Sequence, residues 1–136
     1  AEVTVDGSRL LPGDVTGLCA MQRYWAFIGL CRQAEGYRLV LRSARPGDGE
    51  EGADRISLPW AEDRVRLRAE MRFAPGRDQV RFFYHTAVGW QPLGDAHEMF
   101  FRLEHFTGNR FGLFVQSTEQ AGGEAVFTRF VMDAPK

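Results

Sequence analysis

The stretch RVRLRAEMRF, from Arg64 to Phe73, alternates without a break: Val65, Leu67, Ala69, Met71 and Phe73 are apolar, while Arg64, Arg66, Arg68, Glu70 and Arg72 are charged. Only an extended chain sorts such a pattern onto two faces, because successive side chains of a strand point to opposite sides. The stretch therefore predicts a half-buried antiparallel strand with a solvated charged face. APGRD follows, with Pro75-Gly76 as turn residues, and QVRFFYH (Gln79 to His85) is expected to pair back. TAVG then turns the chain into the short strand WQPLG.

The same reading extends along the chain. AEVTV, VTGLCAMQ, YWAFIGLCR, YRLVLRS, RISLPW, EMFFRLE, RFGLFVQS and EAVFTRFVM all read as strands. VTGLCAMQ and YWAFIGLCR are apolar on both faces, as in the middle of a sheet, and RISLPW is expected to stop at Pro59. RFGLFVQS and EAVFTRFVM read as a final pair joined by TEQAGG. Helical periodicity is lacking, so roughly eight to eleven short strands predict an all-β fold, a two-sheet antiparallel β-sandwich. The 136 residues suit one domain, and no internal repeat or linker divides them. Val65, Leu67, Met71, Phe73, Phe82, Phe111, Leu113 and Val115 hold the apolar phases and are expected to be buried.

Charge and composition exclude several functions. The net charge of -1, from 17 basic and 18 acidic residues, lacks the positive footprint of a nucleic-acid binder. No apolar run approaches the roughly 20 residues that cross a bilayer. AEVTVDG has neither the basic start nor the apolar core of a signal peptide, which leaves a bacterial cytoplasmic or a secreted location open. A hairpin with a two-residue loop at Arg23-Tyr24 would set Cys19 opposite Ile28 and Cys31 opposite Thr16. The two sulfurs would then point to opposite faces, which argues against a disulfide. Neither cysteine has a CxxC partner, and His85, His97 and His105 form no HxH or HExxH, so no metal and no cofactor are expected.

Catalytic arrangements are equally sparse. The acidic pairs Glu50/Glu51, Glu62/Asp63 and Asp95/Glu98 lie in polar loops, where solvated acids are the rule. None of Ser8, Ser43, Ser57 and Ser117 has a GxSxG context. Aromatics offer a binding surface instead, because the apolar faces of sugar rings stack on them. Of Trp25, Trp60, Trp90, Tyr24, Tyr37 and Tyr84, the expected sugar platform is Trp60, Trp90 and Tyr24; Trp60 follows Pro59 at a strand end, and Trp90 follows a turn.

Three segments carry a family resemblance. LLPGDVTGLCAMQRYWAFIGLCRQ resembles the GD-x-x-GL-x-x-x-Q stretch of the β-sandwich domain that follows the catalytic propeller in family 43 glycoside hydrolases, the β-xylosidases and α-L-arabinofuranosidases. VRLRAEMRFAPGRDQVRFFYHTAVGWQPLG is similar to the family's F-x-YS-x-DG-x-W-x-x-LG hairpin through Phe82, Tyr84, Trp90, Leu93 and Gly94, with TAVG in place of the usual Asp-Gly turn. HFTGNRFGLFVQSTEQAGGEAVFTRF resembles the FTG-x-x-x-GLF strand and the closing strand.

The resemblance implies a concanavalin-A-like jelly roll, without catalytic residues of its own, as an accessory domain that stabilises a propeller and shapes its substrate pocket. Phe106 occupies the position of the family's domain-contact phenylalanine, and Asn109 and Arg110 complete that loop. The implied partner is the catalytic propeller of the same protein, and the parent enzyme would be a xylosidase or arabinofuranosidase. The alternative is an autonomous carbohydrate-binding module for plant-type polysaccharide. The E-x-D-x-x-E of jelly-roll glucanases is absent. The family domain carries strands ahead of the position of Ala1, so residues 1–136 are expected to form one sandwich lacking them, with an open edge that invites a second copy of the chain.

Overall fold

The computed structural model describes residues 1–21, 25–44, 52–74, 77–94, 97–99 and 110–131. These form eleven strands and no helix: β1 (Glu2–Asp6), β2 (Val15–Met21), β3 (Ala26–Gln33), β4 (Gly36–Ser43), β5 (Ala53–Trp60), β6 (Arg64–Ala74), β7 (Arg77–Thr86), β8 (Gly89–Pro92), β9 (His97–Met99), β10 (Arg110–Gln116) and β11 (Val126–Val131). Sheet A runs β11-β1-β6-β7-β8, with β9 sharing the outer side of β7 with β8; sheet B runs β10-β2-β3-β4-β5. All pairings are antiparallel.

The core forms where the apolar phases of the two sheets meet. Val3, Val5, Val65, Leu67, Ala69, Val80 and Phe82 come from sheet A, and Leu18, Ala20, Ala26, Ile28, Leu30, Leu39 and Leu41 from sheet B. The alternation of β6 is realised as read: Val65, Leu67 and Ala69 are buried, while Arg64 and Arg66 are exposed. Met71 and Phe111 are half-buried against the core. Phe73 lies on β6, but its side chain is outside the described residues. Burying a Leu, Val or Phe side chain contributes about 1.5–3 kcal/mol, so this double layer dominates stability.

Four expectations are corrected. Leu113 and Val115 are 38% and 50% exposed. Their phase is the inner one, since they pair with the fully buried Leu18 and Thr16. But among the described residues β10 is the last strand of its sheet, and an edge position has a neighbour on one side only. Second, β10 and β11 do not pair with each other: they lie in opposite sheets, against β2 and β1. Residues 117–125 cross between the layers, where Thr118 Oγ1 donates to the Gly13 carbonyl (2.7 Å) and the Glu124 amide donates to the Arg9 carbonyl (3.1 Å).

Third, β5 continues through Pro59 to Trp60. It is the edge strand of sheet B, where a missing N–H costs no ladder bond. Fourth, the β2–β3 hairpin is one residue longer in its loop than expected, pairing Cys19 with Phe27 and Cys31 with Val15. A one-residue slip reverses relative facing. The two cysteines therefore share the outer face of sheet B; both are free and half-buried, and burial raises both thiol pKa values.

The segment that opens the family resemblance is structural. Gly13 adopts φ 91°, which favours glycine. Asp14 is fully buried, and its Oδ2 accepts the Leu11 amide (2.8 Å), closing the turn. A Cβ on Gly17 would strike the Ile28 carbonyl oxygen. Leu18 is a core residue. These positions make β2 fit against β3.

Candidate functional site

Two surfaces depart from what a solvated sandwich needs. The first is the β10/β11 edge. Among the described residues, the exposed large apolar side chains are Val88, Leu113, Val115, Val126, Phe130 and Val131. All but Val88, at a turn, lie on these two strands. Both strands end their sheets on the same side, because β2 and β1, their partners, are in contact across the core. On β11, Phe127 pairs with buried Val5 and packs on the core, whereas Val126 pairs with Asp6 on the outer side. The ladder shifts between Glu2 and Thr4, and Arg129 takes φ 53° in the shifted stretch. Such a bulge twists an edge strand locally.

The second surface is the outer face of sheet B. Pairing aligns its residues in rows across all five strands. One row runs Gly112, Cys19, Phe27, Arg42, Asp54; the next runs Phe114, Gly17, Gly29, Val40, Ser57. Val15, Phe27 and Val40 are buried although they point away from the core, covered by Cys19, Trp25, Cys31 and Phe114. Trp25 and Phe27 stack with centroids 5.8 Å apart and 6° between planes; Phe27 and Phe114 meet at 4.5 Å with a 52° tilt. The middle of the face has no side chain at Gly17 and Gly29, and Val15 and Phe27 lean over that gap.

A polar margin borders this apolar patch along β4 and β5. Arg42 Nε donates to Asp54 Oδ1 at 2.5 Å, and the Arg42 guanidinium lies 5.5 Å from the Phe27 ring centre. Arg38 Nε donates to Ser57 Oγ at 2.7 Å. Two depressions flank the Arg42–Asp54 pair. One, of about 580 Å³, is lined by Trp25, Phe27, Gly52, Ala53 and Gln116 together with the pair. The other, of about 520 Å³, includes Cys31, Val40, Ser57 and Glu119 with the same pair.

The residues chosen from sequence fall elsewhere. Trp60 has the inner phase of β5, where it packs on the core, meets Tyr84 edge-on at 5.7 Å and donates Nε1–H to the Arg64 carbonyl (2.9 Å). Trp90 lies on the outer face of sheet A, edge-on to His85 at 5.1 Å and beside the guanidinium groups of Arg66 (5.1 Å) and Arg68 (5.8 Å). The two tryptophans thus do not share a face. Tyr24, Phe106 and Asn109 lie outside the described residues, and Arg110 is described only as the first backbone position of β10. Sequence reading passed over Phe27, Arg42, Asp54 and Gln116. The available signal was β3 itself, apolar on both faces, which leaves an apolar row outside once the inner row is assigned.

The fold and these motifs converge on one family. Residues 1–133 match the family model of the β-xylosidase C-terminal concanavalin-A-like domain. The chain belongs to that family. In structure it is similar to a bifunctional GH43-CE protein of Bacteroides eggerthii, with TM-score 0.81 and 29% identity over 93% of this chain. It also shares its fold with a GH43 glycoside hydrolase engineered to display both endo-xylanase and exo-arabinofuranosidase activity, with TM-score 0.81 and 24% identity over 91% of this chain. The chain covers 16% and 26% of those two proteins. No curated protein matches it. The domain is thus the C-terminal, concanavalin-A-like part of GH43-type enzymes, which agrees with an accessory role.

Proposed function

We propose that this domain stabilises the catalytic propeller of a family 43 glycoside hydrolase of xylosidase or arabinofuranosidase type and forms one wall of its substrate pocket. The observation that carries the reading is the β10/β11 edge. Leu113 and Val115 hold core phase yet stay exposed, and exposed apolar patches mark interaction sites. Arg110 opens β10, so Phe106 and Asn109 lie just ahead of this strand in the sequence. A propeller seated on the edge would cover the apolar pair and lie near the stretch that bears Phe106.

The test is association in two pieces. The separately expressed catalytic domain is titrated with this chain, and its hydrolysis of nitrophenyl xyloside and nitrophenyl arabinofuranoside is followed. Leu113→Asp with Val115→Asp is expected to abolish association while leaving this chain folded, and Phe106→Ala to lower turnover in the assembled enzyme. Association that survives the double aspartate variant sinks the reading of this edge.

A further inference from the structure

We infer that the outer face of sheet B holds a binding site for a neutral oligosaccharide, centred on the Arg42–Asp54 pair and the ring of Trp25. The inference is independent of the docking reading: Leu113 and Val115 point to the inner side of β10, whereas Gln116 pairs with Val15 on its outer side.

The ligand class follows from the chemistry of the lining. Trp25 is half-buried and held parallel to Phe27, so its orientation is set before any ligand arrives. A preset flat apolar ring suits the apolar face of a sugar. Arg42 and Asp54 bring a donor fork and a carboxylate acceptor to one spot, and Arg42 engages Asp54 through Nε and Oδ1 alone. Among the described residues, its Nη groups and Asp54 Oδ2 have no hydrogen-bond partner. The side chains are 30% and 50% exposed, so both remain reachable.

Because the pair neutralises itself, an anion or a cation gains one attraction and one repulsion there. A vicinal diol can accept from the guanidinium and donate to the carboxylate at once. The exposed amide of Gln116 adds a further donor and acceptor on the same depression. A second depression lies across the pair, so the site extends over more than one sugar unit, and affinity should rise with chain length.

The test uses isothermal titration of the full chain with xylohexaose, arabinohexaose and cellohexaose, their disaccharides, and trigalacturonate as the charged comparator. Expected is millimolar or tighter binding of at least one neutral hexaose, weaker binding of its disaccharide, and no preference for trigalacturonate. Asp54→Ala and Gln116→Ala, both at exposed edge-strand positions that the fold tolerates, should each weaken binding about tenfold, the size of one lost hydrogen bond to a charged or amide group. Trp90→Ala, on the opposite face, should leave it unchanged. Trp25→Ala should abolish binding, but it also removes cover from Phe27, so the two edge variants decide.

The inference is overturned if none of the three hexaoses binds, if binding ignores both Asp54→Ala and Gln116→Ala, or if trigalacturonate is preferred. It is also overturned if those two variants weaken association with the catalytic domain while no saccharide titrates, which would make this face a protein contact.

Discussion

The two outer faces of the sandwich come from the same period-two pattern and end up opposite in character. On sheet A, Glu2 lies directly opposite Arg68, and Asp6 opposite Arg64. Arg68 reaches Glu70 at 2.7 Å and Glu2 at 3.5 Å, and Arg64 reaches Asp6 at 3.1 Å. Glu2–Arg68 and Asp6–Arg64 cross between β1 and β6, whereas Arg68–Glu70 lies along β6; partly exposed surface pairs of this kind each contribute about 0.2–1 kcal/mol and keep the face polar. On sheet B the corresponding rows hold Cys19, Phe27, Gly29, Cys31 and Val40, with the Arg42–Asp54 ion pair at the β4/β5 margin. The middle of one face is set by ion pairs; the other has withdrawn three side chains from water without help from the core. The candidate functional surfaces therefore lie on the outer face of sheet B and along its β10 edge.

The comparison breaks first at Phe27. It is 6% exposed although it points outward, so Phe27→Ala should cost about 3–5 kcal/mol, as in a true core. Arg66→Ala, on the outer face of sheet A, should stay within about 0.5 kcal/mol. Urea melts of the two variants measure the contrast, and equal midpoints would erase it. Next in size is Gly17→Ala. The added methyl meets the Ile28 carbonyl oxygen and forces β2 from β3, an overpacking cost of about 1–3 kcal/mol. A wild-type melting temperature in that variant would mean that the close approach of the two strands is not obligatory.

A smaller effect is expected at the exposed inner positions of β10. Leu113→Ser in this chain alone should cost about 1–2 kcal/mol, because the side chain is incompletely buried to begin with. A loss as large as that of Phe27→Ala would show that β10 is already fully packed.

The smallest effects separate the faces by pH. Asp6, on sheet A, has its pKa lowered first by the Ser8 amide, with Arg64 adding to it. Its folded pKa lies below the unfolded one, so its contribution is present above the ordinary carboxylate value and is lost as acid approaches the depressed value. Cys19 and Cys31, on sheet B, have raised pKa values because burial disfavours the thiolate. Their contribution is present below the ordinary thiol value and is lost as pH rises through the raised one. Asp6→Asn should flatten only the acid side of the stability–pH curve, and Cys19→Ala with Cys31→Ala only the alkaline side. Thermal melts across pH check both, and a flattening on the wrong side reverses the assignment.

How much was legible beforehand differs between fold and site for a definite reason. A strand's phase is local: Arg64 to Phe73 names its buried face whatever it packs on, and Val65, Leu67 and Ala69 obey it. The positions bearing the family resemblance, Gly13, Asp14, Gly17, Leu18, Phe82 and Leu93, were also legible, because each answers to a turn, a close approach or the core. The site was not legible, because it is a row across strands. Phe27, Arg42 and Asp54 are brought together by two pairings and by a register shift between Leu41 and Arg42 that lets Arg42 face Asp54 while Leu41 faces Ile56.

The sequence alone determined the all-β class, the inner face of each clear strand, and the family, since these rest on period, turn residues and spacing within short segments. Tertiary structure decided the rest. It set the β2–β3 loop one residue longer, which moved both cysteines to one face. It sent the last two strands to opposite sheets and left Leu113 and Val115 at an edge. The physical reason is that exposure and cross-strand neighbours are properties of position in the sheet, and a strand's residues are the same whether it lies in the middle or at the border.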